Sequence, residues 1–92
     1  MDKDNMVEFS DLAVDMVCAL TLQPSKVDVS VGSGENGEIL VGISAPRSEV
    51  AMIVGKKGAT AAALHRVLSC IARNWGHEGD VRLAWQPTDA PE

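Results

Sequence analysis

Ninety-two residues suffice for one small core and no more, because a chain this short buries only about 60 to 65% of its unfolded surface. Hydrophobic residues make up 46% of the chain and aromatics 3%, so Val, Ile, Leu, Ala and Met must do the packing. The net charge of -5 argues against a uniformly basic nucleic-acid binder; no apolar run reaches the roughly 18 to 20 residues of a membrane span, and the acidic opening "MDKDNMVEF" is unlike a signal peptide, so a cytoplasmic protein is expected.

The first predicted element is a helix. Phe9, Leu12, Ala13, Met16, Val17 and Leu20 follow the i, i+3, i+4, i+7 pattern of one continuous apolar stripe. Asn5, with Glu8 three residues on, reads as a capping box at its start, and Pro24 stops it. "KVDVSV" then alternates, with Val27, Val29 and Val31 on one side, which is the period of a half-buried strand. "GSGENG" leads to a second strand, "EILVGIS", and Asn36-Gly37 tolerates the positive φ of a hairpin turn, so these strands pair antiparallel.

Pro46 ends the second strand and Ser48 reads as the N-cap of a short helix carrying Val50, Ile53 and Val54. A longer helix follows Gly58, with Leu64, Val67, Leu68, Ile71 and Trp75 on one face and Ala59, Ala62, Arg66, Ser69 and Arg73 on the other, and Gly76 closes it. "DVRLAW" alternates as a third strand. The expected boundaries are a flexible N-terminus over 1–5, a domain over 6–85 and a disordered polar tail over 86–92. Helix, strand, strand, helix, helix, strand makes an α+β domain, a three-stranded sheet with the helices on one face.

Charge is unevenly distributed along this order. Residues 1 to 46 hold two lysines against eight acids, a net of -6. Residues 47 to 73 hold Arg47, Lys56, Lys57, Arg66 and Arg73 against Glu49 alone, a net of +4. The basic charge gathers around "IVGKKGATAAAL", residues 53 to 64. There Gly55 and Gly58 allow the backbone to turn and approach a ligand closely, while the first N–H groups of the next helix face outward and favour an anion. Lys56 and Lys57 add two cations at the same point, a combination suited to a phosphodiester backbone. An isolated GKKG is more often a corner with solvated lysines; here the surrounding order of elements adds weight.

Other patterns carry less. Gly32, Gly34 and Gly37 match GxGxxG, but a strand and not a helix follows, so this is a hairpin loop, and no GxxxxGK[ST] phosphate loop exists. Cys18 and Cys70 lack CxxC spacing and read as buried free thiols. His65 reads as a helix-surface histidine, His77 as a turn residue, and Trp75 and Trp85 as core. With no catalytic constellation or metal spacing, the chain is not expected to be an enzyme, and no cofactor is expected.

"IVGKKGATAAALHRVL" resembles the signature of the K-homology (KH) domain, an apolar pair, a GxxG loop and a helix of small and apolar residues. The order α-β-β-α-α-β is similar to the bacterial type II form, over roughly residues 6 to 85. The length and the "SAP" before the short helix resemble the small stand-alone bacterial KH proteins of the KhpA-like group. The resemblance implies binding of about four nucleotides of single-stranded RNA. Gly55 and Gly58 would shape the loop and Lys56 and Lys57 would face phosphates. Ile53, Val54 and the strand near Ile43 would line an apolar groove for bases, with Ala59, Thr60, Ala62, Arg66 and Arg47 completing the site.

Three positions depart from the family pattern: Met52 stands where a basic residue is common before the apolar pair, and Ala59 and Ala62 stand where basic residues often follow the loop. Weak binding with little sequence preference is therefore expected, in a post-transcriptional regulator or RNA chaperone. The resemblance also implies a homodimer, or pairing with a larger KH-containing RNA-binding protein. Two other functions compete with RNA binding: a protein-interaction module with lost RNA affinity, and a duplex DNA reader, for which the basic helix is short.

Overall fold

The structure, a computed structural model, describes residues 3–89. Helix α1 (Lys3–Ala19) leads, and a 3₁₀ turn at Pro24–Lys26 follows. Strands β1 (Asp28–Ser33) and β2 (Ile39–Ala45) come next, then helix α2 (Arg47–Val54), a 3₁₀ turn at Lys56–Gly58, helix α3 (Ala59–Asn74) and strand β3 (Val81–Pro87).

On α1 the expected stripe is present, with Phe9, Ala13 and Val17 buried at four-residue spacing and Leu12, Met16 and Leu20 half-buried beside them. Its start differs from expectation. The helix already includes Lys3 and Asp4, so Asn5 has helical backbone and is not the N-cap, a position that requires non-helical dihedrals. Part of the stretch expected to be flexible, Lys3 to Asn5, is thus helical; residues 1 and 2 lie outside the described residues.

The sheet has the order β1-β2-β3. β1 and β2 are antiparallel, with Val29 opposite Ile43 and Val31 opposite Val41. The hairpin between them is a three-residue loop: Gly34 N donates to Glu38 O (2.8 Å) and Gly37 N to Gly34 O (3.2 Å). Of the expected pair only Gly37 takes positive φ, as in a type I turn followed by a left-handed residue.

β2 and β3 are parallel, with Ile39 beside Val81, Val41 beside Leu83 and Ile43 beside Trp85. The central strand alternates, burying Ile39, Val41, Ile43 and Ala45. Together with Phe9, Ala13 and Val17 of α1, Ile53 of α2 and Leu64, Leu68 and Ala72 of α3, these residues form one core. Each fully buried Ile, Leu or Phe contributes about 1.5 to 3 kcal/mol by leaving water. The opposite sheet face carries Ser30, Gly42, Ser44, Ala84 and Gln86, all partly or fully exposed.

Parallel neighbours cannot be joined by a tight hairpin and need a crossover. Here the crossover is α2, the glycine loop and α3, so the candidate site lies midway along the connection between β2 and β3. α3 ends as expected at Gly76, in a Schellman arrangement: His77 N donates to Ala72 O (2.9 Å) and Gly76 N to Arg73 O (3.1 Å). Trp75 and Trp85 are half-buried against the core. Val67 differs from expectation at 45% exposed, because Leu64, Leu68 and Ala72 are the residues that face the sheet and Val67 falls at the edge of that stripe.

Two further findings concern α2. Its N-cap is Pro46, which offers no side-chain bond, and Ser48 lies inside the first turn instead. The free N–H of Arg47 is met from the far end of the chain by Asp89 Oδ1 (2.9 Å). The sequence expected to be a disordered tail is therefore structured as far as Asp89: Gln86 and Pro87 belong to β3, and Thr88 N donates to Ala45 O (3.0 Å). Residues 90–92 lie outside the described residues. Glu49, the other acid near this end, is turned inward, 3% exposed, and accepts from Thr21 Oγ1 (2.7 Å).

Candidate nucleic-acid interface

Backbone geometry sets the glycine loop apart from an ordinary helix corner. Gly55 takes φ 80° and ψ 174°, a region essentially closed to other residues, and Gly58 takes φ 74°. Between them Lys57, at φ 57°, is the one non-glycine residue with positive φ among the described residues. Gly58 N donates to Gly55 O (3.1 Å), which closes the turn and carries both lysines on its outside.

Gly55 is required for a second reason. A Cβ there would meet Thr60 Oγ1 and stand 2.8 Å from Thr60 Cβ, so the first turn of α3 packs directly onto the loop backbone. Thr60 is thus a brace for the loop, half-buried, and not an outward-facing ligand group. The N-cap of α3 is Gly58, without a side-chain cap, which leaves the positive end of a sixteen-residue helix dipole open next to Lys56 and Lys57. Both lysines are exposed, and neither side chain has an ion-pair or hydrogen-bond partner among the described residues. Glu49, the lone acid counted against this basic segment, is withdrawn from the surface.

The remaining expected site residues separate into groups. Ile53 and Ile43 are 0% exposed and belong to the core, so neither offers a surface to a base; they back the wall from inside. That corrects the expected groove. Val54 is half-buried at the end of α2, and Ala59 and Ala62 are exposed on α3. Arg47 stands at the opposite end of α2 from the loop, about 12 Å along an eight-residue helix, and pairs with Asp89 (Nε to Oδ1, 4.0 Å). It is not gathered with the lysines.

Beyond Ala62 an open groove of about 760 Å³ runs between α3 and the start of β3. Ala62, His65, Arg66, Ser69, Cys70 and Arg73 form one wall; Gly79, Asp80, Val81 and Arg82 form the other. His65 Nε2 lies 2.7 Å from the Val81 carbonyl, which can only accept, so this nitrogen carries the proton and ties the two walls together. Arg82 was not among the expected site residues, although its place on the exposed register of "DVRLAW" was readable. Cys70 is exposed and Cys18 half-buried, so neither is the buried thiol expected; both are free.

Among the described residues there is no group of three or more His, Cys, Asp or Glu placed to hold a metal ion, and no helix is long and apolar enough to cross a membrane.

No protein-family model matches the chain, and no curated protein matches it in sequence. Solved structures do match in fold. A variant of Era from Aquifex aeolicus bound to GDP and AlF4- superposes with a TM-score of 0.65 at 17% identity, covering 96% of this chain and 34% of that one. Era in complex with MgGDPNP and nucleotides 1506–1542 of 16S ribosomal RNA gives a TM-score of 0.60 at 17% identity, covering 95% and 32%. The chain thus spans about a third of the length of the Era chains it resembles, and at this identity the likeness is one of fold.

Proposed function

We propose that this chain binds single-stranded RNA as a type II KH domain of the KhpA-like group, in the cytoplasm, as a post-transcriptional regulator or RNA chaperone and not as an enzyme. The observation that carries the reading is the Gly55–Gly58 loop: a backbone bent through three positive-φ residues, two unpaired lysines outside it, and an uncapped helix N-terminus behind it. Donors and cations converge there on a point where a phosphate fits. The fold likeness to Era, one structure of which contains a 16S ribosomal RNA fragment, lends further support. Era's bound guanine nucleotides have no counterpart in this proposal, since the chain carries no GxxxxGK[ST] loop.

In this reading Lys56 and Lys57 neutralise two phosphates, while Val54, Ala59 and Ala62 give bases a small apolar surface beside the loop. With no aromatic platform there, affinity is low and sequence preference slight. A homodimer, or a complex with a larger KH-containing RNA-binding protein, would raise affinity by joining two such surfaces.

Fluorescence anisotropy of short unstructured RNAs tests this, with the native chain and a Lys56→Asp, Lys57→Asp variant of matching circular dichroism. Salt-sensitive binding that disappears in the variant supports the loop. A native chain that binds no RNA at high micromolar concentration leaves the second reading, a protein-interaction module. That reading is favoured by the exposed apolar residues Leu22, Val7, Val67 and Met52.

A further inference from the structure

We infer that the outer edge of β1 is a docking site for an extended, basic peptide segment of a partner protein, which adds a further strand beside β1. The inference does not depend on RNA binding at the glycine loop.

The register shows which backbone groups the edge offers. Antiparallel partners alternate between pairs that exchange hydrogen bonds and pairs that do not. Gly34 N donates to Glu38 O (2.8 Å), so Gly32 with Leu40 and Ser30 with Gly42 are the bonded pairs, and Val29, Val31 and Ser33 turn their N–H and C=O groups away from β2. The far side of β2 agrees, because Ile39, opposite Ser33, donates its N–H toward β3, to Asp80 O (2.8 Å). No hydrogen bond reaches the outward groups of Val29, Val31 or Ser33 among the described residues.

Nothing blunts this edge. No residue of β1 is buried, whereas alternate residues of β2 are. Exposed edges are ordinarily protected by lysine, proline or a bulge; β1, "DVSVGS", has no lysine or proline, pairs one to one with β2, and carries its single charge, Asp28, at its first position. The opposite edge of the sheet is different: on β3 the Val81 carbonyl is taken by His65 Nε2 (2.7 Å), and Pro87 has no N–H to offer.

Charge around the edge selects the occupant. Helix α1, which packs on β1, turns Asp4, Glu8, Asp11 and Asp15 outward in one stripe at i, i+4, i+7 and i+11, and Asp28 and Glu35 flank the strand. All six are exposed, and none has an ion-pair partner among the described residues. A second copy of this chain offers the same backbone groups but sets the net charge of -6 over residues 1 to 46 against its own equal, so a strand carrying Lys or Arg is favoured over it. On the open face of the sheet Ser30 and Gly32 are small and exposed, which leaves room for such long side chains. An antiparallel strand in register with Val29, Val31 and Ser33 gains about six hydrogen bonds, two at each.

The test uses the full, isotopically labelled chain and three synthetic peptides. The first is Lys-Val-Lys-Val-Lys-Val-Lys with blocked ends, the second has Glu for every Lys, and the third is the basic peptide methylated at each backbone nitrogen. With the basic peptide, amide hydrogen exchange read by NMR is expected to slow at least about tenfold at Val29, Val31 and Ser33, and by less than about threefold at Ser30 and Gly32, whose N–H groups already bond to β2. The acidic peptide is expected to bind at least about tenfold more weakly, and the methylated one to give no protection. Val31→Pro leaves the ladder to β2 intact, since the N–H it removes points outward, and is expected to weaken the basic peptide at least about tenfold with the amide shifts of α3 unchanged. The methylated peptide makes the same comparison on the native chain, so the result stands even where the proline variant does not fold.

Protection spread evenly along β1, or equal binding of the methylated peptide, overturns the edge and leaves only attraction to the acids of α1. Equal binding of the acidic peptide overturns the basic partner. Protection of the same three amides that rises with protein concentration in the absence of peptide gives the edge to a second copy and overturns the peptide as its occupant. Absence of binding by the basic peptide at millimolar concentration overturns the proposal outright.

Discussion

Thr60 rests on Gly55 so closely that a methyl group on residue 55 would stand 2.8 Å from the Thr60 Cβ. The glycine is therefore fixed by its neighbour as well as by its dihedrals. Gly58 is fixed by dihedrals alone, since nothing lies within 4 Å of where its Cβ would be.

Substituting the two glycines is expected to rank them. Gly58→Ala is expected to cost about 1 to 2 kcal/mol for the left-handed backbone. Gly55→Ala meets both a backbone region closed to residues with a Cβ and the clash with Thr60, and is expected to cost at least about 1 kcal/mol more. Urea unfolding of both variants checks the order, and equal losses would remove the brace as an explanation.

Lys57 pays a backbone penalty for its position, because it holds φ 57° without being glycine. Lys57→Asn removes the charge and places a residue that tolerates this conformation. Stability is expected to hold or rise by a few tenths of a kcal/mol while RNA affinity falls. Opposite movement of the two in one variant, by urea unfolding and anisotropy, is the expected signature.

Thr21 and Glu49 join the end of α1 to α2 through a buried hydrogen bond of 2.7 Å. Thr21→Val keeps the shape and removes the donor, leaving a buried carboxyl without it. A loss of about 2 kcal/mol is expected, roughly 8 to 16 °C in Tm for a domain of this size by thermal denaturation. A change under about 0.5 kcal/mol would mean that Glu49 finds another partner.

Asp89 takes the capping role that Pro46 cannot fill. Asp89→Ala is expected to cost about 0.5 to 1 kcal/mol, less than the Thr21 change because the pair is half-exposed. Most of that cost should persist in high salt, which screens the weak 4.0 Å ion pair and leaves the backbone hydrogen bond.

Local patterns were legible in the sequence wherever one residue's neighbours along the chain decide its environment. The alternation of Val29 and Val31 identified the half-buried strand β1, and Gly76 identified the end of α3. The loop was equally plain, since Gly55, Lys56, Lys57 and Gly58 carry its geometry themselves. What was not legible depends on partners far away. Asp89 caps Arg47 across 42 residues, so no local signal demoted Ser48 or showed that the tail is structured. The depth of Ile53 and the exposure of Val67 follow from how α2 and α3 lie against the sheet, which periodicity leaves open by a turn's width. Arg82 joins Arg66 only because β3 runs beside α3.

The crossover that carries the loop also sets when the loop can exist. Ser33 pairs with Ile39 six residues away, whereas Ile39 pairs with Val81 across 42, so the hairpin can close early and the parallel pair must wait for a much longer search. A chain emerging from synthesis exposes Lys56 and Lys57 well before β3 is available to dock α3 against the sheet. Competence for the proposed RNA binding should thus arrive with the slowest folding event, in step with burial of Trp85 beside Ile43. In stopped-flow refolding, the indole fluorescence change and the onset of RNA anisotropy would then share one rate constant.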